Sequence, residues 1–151
     1  MRTQFVASPI GILRITSEAK VITGITLVRK KGVSNPDAVT ERCAKELEAY
    51  FTMGKKIFSV RMTTDGTPFQ QSVWKAMSAI PYGKTQTYAD IARSIGKPKA
   101  VRAVGSACGK NALLVMIPCH RVVGSHGHLG GFSSGINNKK WLLAHEQQSV
   151  K

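Results

Sequence analysis

Three short runs rich in β-branched residues open the chain and alternate with turn residues. The runs are Gln4–Val6, Ile10–Ile15 and Val21–Val28, and Ser8-Pro9 and Glu18-Ala19-Lys20 separate them. Apolar runs of this length between such residues are typical of strands joined by tight turns. The pattern therefore predicts a small antiparallel sheet at the start of the chain.

The hydrophobic spacing then changes to that of a helix. Between Asp37 and Met53 the apolar residues recur every three or four positions, which places them on one helical stripe. Gly54 provides a helix end, and Lys55–Met62 is expected to add one more short strand. The stripe consists of Val39, Cys43, Leu47, Tyr50 and Phe51.

The second half of the chain reads mainly as helices. Thr67 followed by Pro68 is a helix start, with a capping hydroxyl and then proline at the first position. This helix should reach about Ala79, and Ile80-Pro81-Tyr82-Gly83 should end it. Its inward side is expected to consist of Phe69, Val73, Trp74 and Met77.

Two shorter helical segments follow, at Thr87–Ile95 and from Pro98 to about Cys108, with Gly96-Lys97-Pro98 as the turn between them. Two helices joined by a short glycine-containing turn form a helix-turn-helix pattern, and many such patterns never contact DNA. A last helix is expected over Asn137–Gln147. The predicted fold is α/β, with a small N-terminal α/β lobe (1–62) containing a short antiparallel sheet, a linker (63–66), and a mainly helical C-terminal domain (67–151) containing the helix-turn-helix.

The charge of the chain changes this picture. Twenty-two Lys and Arg against eight Asp and Glu give a formal net charge of +14, and residues 67–151 hold 11 of the basic residues against only Asp90 and Glu146. Such a surplus favours a polyanionic partner, most often nucleic acid. A generally basic, solvated surface is the alternative.

The second short helix lacks the amides that read base edges in a major groove. Arg102 is its one long side chain, and Lys99 precedes it. Its small residues allow a backbone to come very close to another surface, either a neighbouring helix or a nucleic-acid groove. They include Ala100, Ala103, Gly105 and Ser106.

The chain has three cysteines, Cys43, Cys108 and Cys119. A small, odd number of cysteines does not form a disulfide framework, so a reducing compartment is expected. The chain lacks an apolar run of roughly 18 residues and a signal-peptide h-region, so an intracellular, soluble protein is expected.

The candidate chemistry lies at Cys119-His120. The apolar run Leu113–Ile117 leads to this pair, and a loop rich in Gly, Ser and His, Gly124–Gly135, follows it. A thiol becomes a good nucleophile as a thiolate, so a cysteine beside a base is a candidate for covalent catalysis. Taken alone, the pair is more often part of a core.

Several segments in the same order resemble the O6-alkylguanine-DNA alkyltransferases, also called methylated-DNA–protein-cysteine methyltransferases. The resemblance covers more than half of the chain, and Pro-Cys-His-Arg-Val is its most specific element. The segments are Thr67–Gln70, Val73-Trp74, Ile80–Gly83, Thr87-Tyr88, Ile91-Ala92, Ala100–Gly105, Asn111, Ile117–Val123 and Trp141–Glu146.

The resemblance implies a role for each matching residue. Cys119 would accept the alkyl group, His120 would act as its base through a water, and Glu146 would orient that histidine. Asn111 would brace the active-site turn, and Tyr88 would assist base rotation and donate a proton toward the departing guanine.

Further roles follow from the same resemblance. Lys139 would neighbour the reactive thiol, and Arg102 would fill the gap left by a flipped nucleotide. DNA contacts are expected from Lys99, Ala100, Arg102, Ala103, Gly105 and Ser106. The walls of the base pocket are expected to be Cys108, Val122, Phe132 and Ser133.

The implied function is DNA repair by direct damage reversal. The protein would bind the minor groove of double-stranded DNA without sequence preference, flip the damaged base, and transfer the alkyl group of O6-alkylguanine, less efficiently of O4-alkylthymine, to Cys119. Each molecule would react once, as a monomer, without metal or other cofactor, in the cytoplasm or, in a eukaryote, the nucleus. Phe132 stands where several relatives have Tyr, and prolines of some relatives are missing near Ala112 and Leu114.

Other classes of protein could account for some of these sequence features. A non-catalytic helix-turn-helix regulator would explain the charge but not Cys119. A sister group that only binds lesions carries Trp at that position, and a cysteine hydrolase would not need the basic surface. A zinc protein would have to use Cys108, Cys119, His126 and His128, whose spacing is not that of usual zinc sites.

Overall fold

The computed structural model describes residues 1–129 and 135–149, which divide into two compact units. The first unit comprises Met1–Thr64 and Ala112–Leu114, and the second comprises Asp65–Asn111 and Val115–Lys151. The α/β class is confirmed: the first unit contains a three-stranded antiparallel sheet, and the second contains most of the helices.

The sheet of the first unit has the order β1-β2-β3, with β1 at Arg2–Ser8, β2 at Gly11–Glu18 and β3 at Val21–Val28. Adjacent strands run antiparallel, as tight turns require, and Ala19 and Lys20 take the left-handed conformation (φ 50° and 65°) between β2 and β3. Ile25 of β3 exchanges backbone hydrogen bonds with Ala112 and Leu114, so a short later segment joins this unit.

Helix α1, Ala38–Met53, packs on this sheet. Asp37 caps its first turn in a reciprocal box with Thr40 and also accepts a 2.9 Å hydrogen bond from the Ser17 hydroxyl. Gly54 ends the helix in the left-handed conformation (φ 66°), as expected. The buried apolar core of the unit includes Leu13, Ile15, Ile22, Ile25, Cys43, Leu47 and Tyr50.

The strand predicted at Lys55–Met62 is wrong. Within this segment, Met62 alone makes a β-bridge, to Ile22. The carboxylate of Glu46 accepts the backbone N–H groups of Ser59 (2.9 and 3.0 Å) and Val60 (3.1 Å). Because a buried side chain takes the donors that a strand partner would need, the segment stays irregular.

The second unit begins with α2 at Pro68–Ser78, capped by Thr67 as predicted. Helix α3, Tyr88–Ser94, and helix α4, Val101–Gly109, pack against α2 and each other. The indole N–H of Trp74 donates to the carbonyl of Ala107 at 2.9 Å and so fixes α2 against α4.

The second helix of the helix-turn-helix starts three residues later than predicted, at Val101 rather than Pro98. Lys99 and Ala100 therefore lie in the turn, where Ala100 donates its N–H to the carbonyl of Lys97. Gly96 takes the left-handed conformation (φ 75°) in this turn.

A two-stranded parallel pairing was not foreseen. Gln86-Thr87 forms β4 and pairs with β5, Val122-Val123. Thr87 also caps α3. The pairing ties the segment that follows Cys119 to the start of the helix-turn-helix. The last helix, α5, spans Ile136–Ser149.

Candidate active site

Cys119 lies in a buried turn. The apolar run that precedes it is buried but irregular, and Val115 adopts a left-handed conformation (φ 71°) that is costly for a β-branched residue. A single 3-10 turn, Cys119–Arg121, follows. Asn111 holds the turn from the side, because its amide donates to the carbonyl of Ile117 at 2.8 Å.

The Cys119 side chain is 3% exposed and accepts a hydrogen bond from the Asn111 amide at 3.3 Å. Burial raises the pKa of the thiol, whereas the Asn111 amide and the positive charge of Lys139 act in the opposite direction. The resting group is therefore a thiol, and its environment already contains groups that stabilise a thiolate.

His120 and Glu146 form a buried pair, with His120 Nε2 2.6 Å from Glu146 Oε2. Burial lowers the pKa of His120, and the Glu146 carboxylate opposes that effect. The other ring nitrogen, Nδ1, is buried without a hydrogen-bond partner among the described residues. A neutral imidazole with one nitrogen committed to a carboxylate and the other open as an acceptor is the arrangement of a general base.

Glu146 has two further partners that the sequence interpretation missed. Arg121 donates to both carboxylate oxygens, from Nε to Oε1 at 2.8 Å and from Nη2 to Oε2 at 3.0 Å. The Gly83 N–H also donates to Oε1, at 3.1 Å. The sequence signal for Arg121 was its place in the Pro-Cys-His-Arg-Val element, and pairing across 25 residues cannot be read from that element.

The turn between α2 and β4 is held by the same network. Arg121 Nη1 donates to the carbonyl of Ile80 at 2.7 Å, and Gln147 donates to the carbonyl of Gly83 at 2.6 Å. Gly83 itself is left-handed (φ 78°), which explains a glycine there. Side chains of α5 and the Cys119 turn thus position a third segment.

Lys139 of α5 is fully buried, which is rare for lysine. Its ammonium lies 5.8 Å from the centroid of the Tyr88 ring at the start of α3. Burial lowers the pKa of Lys139, and the thiols of Cys119 and Cys108 oppose that effect. Burial also raises the pKa of Tyr88, which therefore keeps its phenolic proton.

The residues expected to form the base pocket are only partly described. Cys108 is buried on α4 with its sulfur 3.3 Å from the Met77 sulfur, and burial raises its pKa to about 12. Val122 is fully buried and pairs with Gln86 in the small sheet. Phe132 and Ser133 lie outside the described residues.

The expected DNA-contact residues lie on the other side of α4 and in the turn before it. Lys99, Arg102, Ala103 and Ser106 are exposed, while Val104, Ala107 and Cys108 face the core. A Cβ added at Gly105 would meet nothing within 4 Å. Close packing inside the described part of the protein therefore does not require a glycine at this position.

Both acidic residues of the basic C-terminal region make bonds within the protein. Asp90 caps α3 and pairs with Arg93, and Glu146 is buried. The exposed cations of the region consequently face solvent with little anionic compensation. Exposed residues among them are Lys75, Lys84, Lys97, Lys99, Arg102, Lys110 and Lys140.

Within residues 1–129 and 135–149, no three His, Cys, Asp or Glu side chains converge as a metal-ion site. Cys108 and Cys119 are buried, whereas His126 and His128 are exposed, so the zinc interpretation finds no support in this part of the chain. No helix among the described residues has the length and apolarity needed to cross a bilayer.

Comparison with known proteins identifies relatives over the whole chain. A family model described as "6-O-methylguanine DNA methyltransferase, DNA binding domain" matches residues 68–148. The methylated-DNA–protein-cysteine methyltransferase of Methanosarcina barkeri is 40% identical over 158 aligned positions, covering 100% of both chains. Its counterpart in Mycobacterium tuberculosis is 41% identical over 147 positions, covering 93% of this chain and 88% of the relative.

Solved structures give the same result. A crystal structure of Mycobacterium tuberculosis OGT in complex with DNA matches with a TM-score of 0.90 and 39% identity, over 99% of this chain and 94% of that one. A further structure, of the Mycobacterium tuberculosis O6-methylguanine methyltransferase, gives a TM-score of 0.89 at 38% identity with the same coverage. The chain therefore belongs to the methylated-DNA–protein-cysteine methyltransferase family.

Proposed function

We propose that this protein repairs alkylated DNA by transferring the alkyl group of O6-alkylguanine irreversibly to Cys119. The observation that carries the proposal is the buried constellation around the sulfur. Asn111 donates to Cys119 Sγ, and the adjacent His120 is paired with Glu146 at 2.6 Å. The family relationship supplies the substrate class, because the relatives are named for methylated DNA and a cysteine acceptor.

The chemical step consumes one thiol. His120 takes the Cys119 proton through a water molecule, and the sulfur attacks the alkyl carbon. The bond between that carbon and O6 breaks, its electron pair leaves with guanine, and the base gains a proton that Tyr88 donates in the first instance. The products are guanine and a thioether, so sulfur and carbon are joined permanently and each molecule turns over once.

Positive charge and a hydrogen-bond donor near the sulfur offset part of the effect of burial on the Cys119 thiol. The buried ammonium of Lys139 and the Asn111 amide both stabilise a thiolate, in an interior where such interactions are weakly screened. Glu146 in turn stabilises the imidazolium that forms when His120 accepts the proton. Each charge that forms during the transfer therefore has a partner of opposite sign: Lys139 for the thiolate and Glu146 for the imidazolium.

The helix-turn-helix engages the DNA. A base inside a duplex is unreachable for Cys119, so the nucleotide must rotate out of the stack. The exposed small face of α4, with the open space at Gly105, suits close entry into the minor groove. Arg102 is exposed on that face and would occupy the gap in the stack, while the lysines contribute salt-dependent, sequence-independent affinity.

The finer features of the proposal follow the same chemistry. O4-alkylthymine presents a similar alkyl–oxygen bond and would react less efficiently. The protein acts as a monomer without metal or organic cofactor. Its three free cysteines suit a reducing cytoplasm, or the nucleus in a eukaryote.

Intact-mass spectrometry tests the proposal directly. The protein is incubated with duplex oligonucleotide containing O6-methylguanine, and the expected result is the gain of one methyl group on Cys119. Cys119→Ser should gain nothing, whereas Cys108→Ala, which lacks another buried thiol of the same unit, should still be methylated. Tight DNA binding without any mass gain would instead favour the non-catalytic DNA-binding interpretation.

A further inference from the structure

Arg121 has no role in the transfer as described so far, yet its side chain donates three hydrogen bonds within the site. Its guanidinium reaches both oxygens of Glu146 and the carbonyl of Ile80. It lies 5.5 Å from the centroid of the Tyr82 ring and is itself largely buried, with 8% of its side chain exposed. A planar bidentate pair of this kind fixes the orientation of a carboxylate as well as its charge.

The donors around Glu146 restrict where a proton can sit. Oε1 accepts from Arg121 and the Gly83 N–H, and Oε2 accepts from Arg121 and faces His120 Nε2. A guanidinium and a backbone amide can donate but cannot accept. Of these partners, His120 is the one that could share a proton on the carboxyl group, and the adjacent guanidinium charge opposes the presence of that proton.

The protonation of Glu146 decides which nitrogen of His120 is a base. If Glu146 is a carboxylate, the imidazole carries its proton on Nε2 and leaves the lone pair on Nδ1. If Glu146 is protonated, it donates to Nε2, the imidazole proton moves to Nδ1, and the base is lost. We propose that Arg121 is a positioning residue that keeps Glu146 ionised and thereby holds His120 in the Nε2–H tautomer. The inference rests on the proposed role of His120 as the base for Cys119.

The charged and titratable groups around His120 in the described residues come from three segments. Glu146 and Lys139 face it from α5, Arg121 and Cys119 flank it on its own turn, and Tyr82 packs over Arg121 from the turn after α2. Arg121 and Lys139 both disfavour the imidazolium, whereas Glu146 favours it. Removing the charge of Arg121 should therefore raise the pKa of His120.

Nitrogen-15 NMR of the histidine side chains tests the tautomer in the unaltered protein. The chain has four histidines, and His120→Gln identifies the signals of His120. The expected pattern, at a pH above the histidine titration range, is a protonated Nε2 and an unprotonated Nδ1. A protonated Nδ1 would overturn the inference. This readout does not depend on methylation, so it is separate from the mass gain on which the proposed function stands.

Variants of Arg121 test the cause. Arg121→Met removes the charge, and we expect the acid limb of the methylation rate, together with the pH below which the Nε2–H pattern is lost, to move to higher pH by roughly one unit. Arg121→Lys keeps a charge and should retain both the tautomer and the position of the acid limb. Arg93→Met is the matched control, because it removes a guanidinium that pairs with a carboxylate, that of Asp90, on the exposed side of α3.

A purely structural Arg121 gives a different result. In that case Arg121→Met would unfold at a lower temperature, while its tautomer and acid limb stayed those of the unaltered protein, and the inference would be wrong. If Arg121→Met does not fold, the tautomer of the unaltered protein and the profile of Arg121→Lys decide the question. A shift of the acid limb in Arg121→Lys or in Arg93→Met would likewise contradict the assigned cause.

Discussion

Both units bury a cysteine and a glutamate: Cys43 and Glu46 in the first, and Cys119 and Glu146, besides Cys108, in the second. The two cysteine–glutamate sets serve different purposes. In the first unit Cys43 is fully buried on α1, where burial, assisted by the Glu46 carboxylate, raises its pKa to about 12. In the second unit burial also raises the pKa of Cys119, but the Asn111 amide and Lys139 oppose it. Reactivity therefore depends on what accompanies burial, since burial alone makes an inert thiol.

The two glutamates differ in the same way. Glu46 accepts hydrogen bonds from the backbone of Ser59 and Val60 and from the Ser59 hydroxyl, all of them neutral donors. Glu146 faces an imidazole and a guanidinium, besides the Gly83 N–H. The first carboxylate fixes a segment of chain, and the second controls the proton of a neighbouring base.

Separate substitution of Cys119 and Cys43 provides the largest expected contrast. Cys119→Ser should abolish methyl transfer, because a hydroxyl with a much higher pKa cannot replace the thiol. Cys43→Ala should retain one methyl group per molecule and lose about 1 kcal/mol of unfolding free energy. Intact mass and chemical denaturation measure the two effects. Transfer to the Cys119→Ser protein would contradict the assignment of the acceptor.

The two glutamates give the next contrast. Glu146→Gln should slow methyl transfer by about 100-fold or more, because the imidazolium loses its counter-charge. Glu46→Gln should leave the rate of the folded protein unchanged and cost about 1–3 kcal/mol of stability, because one carboxylate oxygen becomes an amide that cannot accept the backbone N–H groups. Single-turnover kinetics and denaturant unfolding separate the two outcomes. Equal rate losses would remove the distinction between the units.

The pH dependence distinguishes the second unit by its buried histidine. Because burial lowers the pKa of His120 below its usual value, the base stays neutral into mildly acidic solution, and the rate should fall only below the ordinary histidine range. In the same window the unfolded chain binds a proton that the folded protein resists. The unfolding free energy should therefore decrease as the pH falls through the ordinary value, and less so in His120→Gln. Thermal unfolding against pH checks this.

Arg102 separates the DNA-binding face of α4 from the buried site. Arg102→Ala should slow repair of duplex DNA by roughly tenfold and leave the reaction with a free O6-alkylguanine base unchanged, because the side chain is exposed and a free base does not have to leave a stack. Rates with both substrates decide the matter. Equal losses would exclude a role in base flipping.

The smallest expected effect is at Gly105. Since a Cβ there meets nothing within 4 Å, Gly105→Ala should stabilise the helix by about 0.5–1 kcal/mol. The same methyl group should weaken duplex binding a few-fold if α4 enters a narrow groove. Unfolding and DNA titration measure both changes. Stabilisation without any loss of binding would show that the groove leaves room at this position.

Local signals in the sequence predicted much of the fold. The Thr67-Pro68 start of α2 and the Gly54 end of α1 depend on caps within a few residues, and both are confirmed. The strand at Lys55–Met62 failed because Glu46, remote in sequence, takes its backbone donors. The β4–β5 pairing joins two dipeptides separated by more than thirty residues, and two residues carry no periodicity.

The candidate site shows the same limit. Cys119, His120 and Glu146 could be selected because each belongs to a recognisable segment. The bidentate contact of Arg121 depends on how α5 packs against the 3-10 turn, and nothing near Arg121 in the sequence specifies it. Residue types indicate which groups are available, and tertiary packing decides which of them meet.

Gly83 contributes to the site through an atom that mutagenesis of side chains does not remove. Its amide holds one oxygen of Glu146, its carbonyl receives Gln147, and its left-handed backbone disfavours most replacements. An alanine at this position would lower activity through the strain of its new Cβ, and that loss would not reveal the contribution of the Gly83 amide. Replacing this amide with an ester by chemical synthesis would remove the N–H donor and keep every side chain. Among the genetically encoded residues only proline lacks that N–H, so ordinary mutagenesis would not isolate this backbone contribution.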